Sequence, residues 1–141
     1  MKFFIHLLFC LISTSPIQDN QNCSTIAECL DLFEPAVNKF KDTYNDYFRV
    51  YLTERDISHR SPSFRNAYVR YKFFPTFPHH DPIDLLIYFG YSSDEASQML
   101  KEINMNVDKL VSGLKNDFKV ISDPKGFSAD EVFNYIISLG P

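Results

Sequence analysis

The chain has 141 residues, with 18 acidic and 14 basic side chains and a formal net charge of −4 at neutral pH. This length fits one domain that can bury a core, and the acidic balance disfavours nucleic acid as a partner. The sequence contains no nucleophile elbow, no HExxH helix and no glycine-rich phosphate loop. We therefore predict that the protein is not an enzyme and uses no cofactor and no metal.

Residues 1–18 have the layout of a secretory signal peptide. A cationic Met1-Lys2 start precedes an apolar run over residues 3–12, and small polar residues follow it. The run is shorter than the roughly 20 residues that span a bilayer. We expect cleavage between residues 13 and 19. The mature chain, 19–141, is then a secreted, extracellular domain with no transmembrane segment.

Three cysteines are present, and Cys10 lies in the predicted leader. The remaining pair, Cys23 and Cys29, predicts a structural disulfide, since no CxxC motif supports a redox pair or a metal site. Six residues along one helix would separate the two by about 9 Å, beyond the reach of a disulfide, so Cys23 should precede the helix. Asn22-Cys23-Ser24 is a glycosylation sequon, which makes Asn22 a candidate glycan acceptor in competition with the bridge.

Apolar periodicity predicts helices along the rest of the chain. Three capping boxes mark helix starts: Thr25 to Glu28, Ser92 to Glu95 and Ser128 to Glu131. Pro35 predicts a break or kink near Phe33-Glu34. The predicted helices are 25–33, 35–53, one capped by Ser61 that ends at Pro75, 83–89, 93 to a turn at 104–106, 107 to about 118, and one after Ser128. The expected fold is an all-α, single-domain bundle of five to seven helices.

Residues 82–114 resemble a ubiquitin-associated (UBA) three-helix domain. The residues that carry the resemblance are Ile83, Leu86, the loop Phe89-Gly90-Tyr91, the helix Ser93–Ile103 with Ala96 and Leu100, the turn Asn106-Val107-Asp108, and Leu110 with Leu114. Phe89 stands where the family has methionine, and Asp108 where it has glutamate. The resemblance implies three short helices and a ubiquitin-facing patch made of Phe89, Tyr91, Leu110 and Leu114.

Aromatic side chains crowd residues 33–77. They fit either a closed core between two antiparallel helices or an apolar cavity for a lipid-like ligand. Our leading hypothesis is a binding protein for a hydrophobic or amphiphilic small ligand. Its candidate ligand-binding residues are Phe40, Tyr44, Tyr47, Tyr51, Phe64, Tyr68 and Tyr71.

Residues 57–80, here called the basic-aromatic face, contain no acidic side chain. Their cations, Arg60, Arg65, Arg70 and Lys72, either pair with the acidic remainder of the chain or bind an anionic partner. We interpret His79 and His80 as part of a solvated loop that leads into a helix cap. The alternative function is a secreted protein–protein interaction module that docks on an extracellular protein through this face or through the UBA-like loop 89–91.

Overall fold

The computed structural model describes residues 23–141. The predicted signal peptide, Cys10 and the Asn22 acceptor lie outside the described residues. This region holds five α-helices and no strand: α1 (Leu30–Thr53), α2 (Ser61–Phe73), α3 (Pro82–Tyr88), α4 (Ser93–Ser122) and α5 (Ala129–Ser138). Short 3₁₀ turns precede α1 at Ala27–Cys29, precede α2 at Ser58–Arg60 and follow α4 at Asp123–Lys125. The all-α fold with five to seven helices is confirmed.

The described residues form two compact units. The aromatic unit comprises residues 42–110, and the terminal unit comprises residues 23–41 with 111–141. Helices α1 and α4 each contribute residues to both units. None of the helices in residues 23–141 combines the length and the apolar character that a membrane span requires.

Reciprocal capping boxes start three of the helical segments, as predicted. At α5 the Glu131 backbone N–H donates to Ser128 Oγ at 3.0 Å, and the Ser128 N–H donates to Glu131 Oε1 at 3.0 Å. Ser92 and Glu95 make the same pair of bonds at the start of α4. Thr25 and Glu28 repeat the arrangement ahead of α1. Each box satisfies backbone donors that a helix start leaves without partners.

Of the break or kink predicted near Phe33-Glu34, the break is wrong. Helix α1 runs without interruption from Leu30 to Thr53, and Pro35 is exposed within it. Proline in a helix costs a hydrogen bond and about 3 kcal/mol. The apolar residues on either side, Phe33 and Val37, are both fully buried. Their burial on one continuous helical face offsets that cost, because each side chain contributes roughly 1.5–3 kcal/mol.

The predicted turn at 104–106 is also wrong, because α4 is one helix of 30 residues. Ile103 and Val107, which flank this segment, are both fully buried at a helical spacing. One continuous helix therefore covers the segment where the UBA resemblance implied two helices and a turn. The resemblance itself stays a prediction.

Helix α2 begins differently from its prediction. Arg60 is the residue before the helix and makes no side-chain cap, while Ser61 is already helical. The preceding 3₁₀ turn explains this, since it continues directly into α2 and leaves no extended cap residue. Helix α3 follows its prediction more closely: the Ile83 backbone N–H donates to the side chain of Asp81 at 2.9 Å.

The Cys23–Cys29 disulfide is present, with 5.5 Å between the two Cα atoms. Cys23 precedes the 3₁₀ turn and Cys29 lies in it, as the distance argument predicted. In the terminal unit, the rings of Phe33 and Phe118 meet edge to face at 5.3 Å. Phe40, the first of the candidate ligand-binding residues, is buried in this unit.

Candidate functional site

The ring of Phe48 is the centre of an aromatic cluster in the aromatic unit. Its centroid lies 4.8 Å from that of Tyr44, 5.2 Å from Tyr47, 5.4 Å from Tyr68 and 6.0 Å from Phe64. Tyr44, Phe48, Phe64 and Tyr68 are fully buried. Ring pairs at these separations are attractive beyond their buried area. Helices α1 and α2 therefore bring most of the predicted aromatic residues together as a packed cluster.

Tyrosine hydroxyls at the edge of this cluster have hydrogen-bond partners. Tyr44 donates to the backbone carbonyl of Arg65 at 3.3 Å, and Tyr68 donates to the side-chain oxygen of Asn104. These bonds remove most of the cost of burying polar atoms. Burial raises the pKa of both Tyr44 and Tyr68, so both phenols stay neutral.

Three other predicted ligand-binding residues are less completely buried than the centre of the cluster. Tyr47 and Tyr71 are half-buried, and Tyr51 donates to Glu102 at 2.9 Å. Desolvation raises the pKa of Tyr51 first, and the hydrogen bond to Glu102 raises it further. A ligand bound among these side chains has to displace rings that already contact one another. The hydrophobic-ligand hypothesis stays a prediction.

The cations of the basic-aromatic face do not form one patch. Lys72 Nζ pairs with the carboxylate of Asp108 at 2.8 Å. The guanidinium of Arg60 lies 5.1 Å from the ring centroid of Phe89 and 5.9 Å from that of Tyr88, at cation–π distance. The sequence left two alternatives open for all four cations together: internal pairing or binding of a partner. The structure shows internal pairing for Lys72.

The three arginines of this face have no carboxylate within ion-pairing distance among residues 23–141. Arg65 also has a buried Nε atom with no hydrogen-bond partner in that part of the chain. Arg70 is half-buried, and its Nη1 donates only to the backbone carbonyl of Pro78 at 3.4 Å. No acidic side chain within residues 23–141 therefore forms an ion pair with these positive charges.

An open depression of about 430 Å³ lies between α2 and the loop that follows it. Its lining residues are Ser63, Asn66, Ala67, Arg70, Pro78, His79 and His80. The Arg70–Pro78 hydrogen bond and an edge contact between the rings of His79 and Tyr71 at 5.9 Å hold the loop against the helix. Within residues 23–141 no group of three or more potential ligands is placed to hold a metal ion. The depression thus offers hydrogen-bond donors and one guanidinium.

Sequence reasoning missed Ser63 and Asn66 and treated His79 and His80 as solvated loop. A signal was available: Ser63, Asn66 and Arg70 are spaced three and four residues apart, which places them on one face of a helix. No sequence pattern predicted that residues 78–80 fold back against that face.

A second depression, of about 440 Å³, is lined by Arg55, Tyr91, Asp94, Glu95, Gln98 and Met99. Its arginine differs from Arg70, because Arg55 pairs with Glu102 at 3.7 Å and with Glu54 at 3.8 Å. The guanidinium of Arg55 also lies 3.6 Å over the ring of Tyr51. Since its charge is already compensated, this depression is the weaker candidate for an anionic partner.

Comparison of the chain with protein-family models, with curated proteins and with solved structures finds no match.

Proposed function

We propose that this protein is a non-enzymatic interaction module that docks on an acidic extracellular protein through its basic-aromatic face, residues 57–80. The observation that carries the proposal is the state of Arg60, Arg65 and Arg70. They lack carboxylate partners among the described residues, although the whole chain has 18 acidic side chains. Such charges are available to another molecule.

Physical chemistry supports arginine in this role. A guanidinium is planar, presents five donors and is weakly hydrated, so it is favoured at protein interfaces. Uncompensated positive charges on an acidic protein also steer acidic partners toward the residues that carry them. The extracellular location of the partner follows from the predicted signal peptide.

The rival function is the hydrophobic-ligand carrier. Support for docking over carrying comes from Phe48, whose ring contacts Tyr44, Tyr47, Phe64 and Tyr68. These contacts occupy the space that a ligand held between α1 and α2 needs. The UBA-like loop offers a smaller docking surface, because Phe89 within it is half-buried. The well-exposed aromatic side chain is that of Tyr88, which precedes the loop and is 78% exposed.

Site-specific photo-crosslinking tests the docking proposal. A benzophenone amino acid replaces exposed Ser63 in one variant and exposed Asn116, in the terminal unit, in a matched control. Each is irradiated in extracellular fluid from the source tissue, and crosslinked products are identified by mass spectrometry. We expect one acidic protein to be captured from position 63 only, and to be lost in a Ser63-labelled variant that also carries Arg65→Glu. Equal capture from both positions, or none from position 63, overturns the proposal.

A further inference from the structure

We propose that the depression between α2 and residues 78–80 is a carboxylate-binding pocket that receives an acidic side chain of the docked protein. This inference rests on the proposed function and adds the ligand class and the residues that recognise it. Arg70 is the cationic partner, and Ser63 and Asn66 supply additional donors from the same helical face.

Three side-chain types at the pocket match the needs of a carboxylate. The guanidinium of Arg70 is a planar donor that can bind both oxygens, and the hydroxyl of Ser63 and the amide of Asn66 donate single hydrogen bonds. Ala67, which is buried, lies between them on the helix. Its small side chain leaves room above the helix for the incoming group.

The arginine is held in place before any ligand arrives. Arg70 Nη1 donates to the Pro78 carbonyl at 3.4 Å, and the side chain is half-buried. The guanidinium keeps its remaining N–H donors for a ligand. Because the side chain is already ordered, less conformational entropy is lost on binding than for a free surface lysine.

The surroundings favour a singly charged group over a polyanion. Neither Arg60 nor Arg65 lines the pocket and Lys72 is paired with Asp108, so Arg70 is the one guanidinium among the described lining residues. The acid nearest along the chain, Asp81, caps α3 by accepting from Ile83. One fixed positive charge with neutral donors suits a carboxylate of charge −1. A doubly charged phosphate or a sulfated chain calls for several charges.

The other titratable groups at the pocket are the two histidines. His79 Nδ1 lies 3.3 Å from the carbonyl oxygen of His80, and its ring packs edge-on against Tyr71. Both imidazoles are exposed at the rim. Among the described residues, the lining that they complete contains no acidic side chain.

The test follows backbone amide NMR shifts of the full mature protein during titration with a capped Gly-Glu-Gly peptide, which carries one carboxylate. A capped Gly-Gln-Gly peptide is the neutral control. We expect shifts at residues 63–70 and 78–80 with the acidic peptide only. Arg70→Gln should weaken binding about tenfold, as expected for loss of one charge-assisted hydrogen-bonding group. The matched control is Arg49→Gln, which removes an exposed cation paired with Asp46 and should leave the affinity unchanged.

Each other result overturns the pocket. Tighter binding of inorganic phosphate or of a sulfated heparin disaccharide at the same amides assigns the site to a different anion. The carboxylate pocket is also rejected if the acidic peptide shifts amides elsewhere or shifts none. It is rejected as well if Arg70→Gln leaves the shifts unaltered. A photo-crosslink from exposed Thr76, which belongs to the basic-aromatic face but does not line the pocket, separates the two proposals: if Arg70→Gln leaves its yield unchanged, the pocket fails while docking through the face stands.

Discussion

The hydroxyl of Tyr51 donates a 2.9 Å hydrogen bond to the carboxylate of Glu102, and this contact joins α1 to α4 inside the aromatic unit. The same carboxylate lies 3.7 Å from the guanidinium of Arg55. Tyr51 is buried and therefore needs a partner for its hydroxyl. Tyr44 and Tyr68 follow the same arrangement, with the ring buried and the hydroxyl donating to a residue of a neighbouring helix.

Buried tyrosines make the protein sensitive to alkaline pH. Burial raises the pKa of Tyr44, Tyr51 and Tyr68 in the folded state, whereas unfolded tyrosines lose their protons near about pH 10. A group whose pKa is higher in the folded state than in the unfolded state contributes stability that is fully present below its unfolded-state pKa. This stability is lost as the pH rises from the unfolded-state pKa through the folded-state pKa. We expect a free energy of unfolding without a tyrosine-linked decline up to about pH 9, and a decline above about pH 10 of up to roughly 1.4 kcal/mol per pH unit for each buried phenol.

Urea unfolding at a series of pH values measures this decline. Tyr68→Phe should make the decline with pH shallower, because it removes one phenol whose pKa is raised. Tyr88→Phe is the control, since Tyr88 is 78% exposed and should leave the slope unchanged. Identical slopes for the two variants would contradict the prediction that Tyr68 contributes to the decline.

Truncation of Phe48 tests whether the aromatic cluster is a packed core. Phe48→Ala removes a fully buried ring with four ring contacts and should lower the free energy of unfolding by about 3–5 kcal/mol. Val50→Ala on the same helix is the control, because Val50 is 40% exposed and should change stability by less than about 0.5 kcal/mol. Chemical denaturation measures both. If Phe48→Ala lowers the free energy of unfolding as little as the Val50→Ala control does, the rings border a space rather than fill it.

Removal of the disulfide should affect stability and the start of the first helical segment. Replacing Cys23 and Cys29 by serine opens a short loop and should cost about 2 kcal/mol. We expect faster amide hydrogen exchange over residues 24–33, with residues 61–73 unchanged, because the bridge constrains only its own segment. Unchanged exchange at 24–33 would mean that the Thr25–Glu28 capping box alone fixes this turn.

Native mass spectrometry of the protein secreted with its own leader compares the two functions directly. If docking is the function, the mass should equal that of the mature chain less two hydrogens for the Cys23–Cys29 bridge. The same mass also reports where between residues 13 and 19 the leader is cleaved. A co-purified lipid that is lost on denaturation would instead support the carrier, and retention inside the cell would contradict the predicted signal peptide.

Local sequence rules predicted the three capping boxes but not the start of α2. A capping box such as Ser128 to Glu131 works because its donors and acceptors are three residues apart, so no distant residue is needed. The same locality explains the disulfide, whose two cysteines are six residues apart. The predictions of a break near Phe33-Glu34 and of a turn at 104–106 were wrong, because burial of the residues on both sides of each segment outweighed the local signals.

The sequence by itself determined the helical class, the three capping boxes and the short disulfide, since each depends on interactions between residues that are close along the chain. Only the tertiary structure decided which charges are compensated: Lys72 pairs with Asp108, 36 residues away, while Arg70 reaches the carbonyl of Pro78 and no described carboxylate. Pairing of this kind depends on which helices pack together and at what rotation. Those quantities come from the burial of side chains throughout each unit, so no short stretch of sequence specifies them.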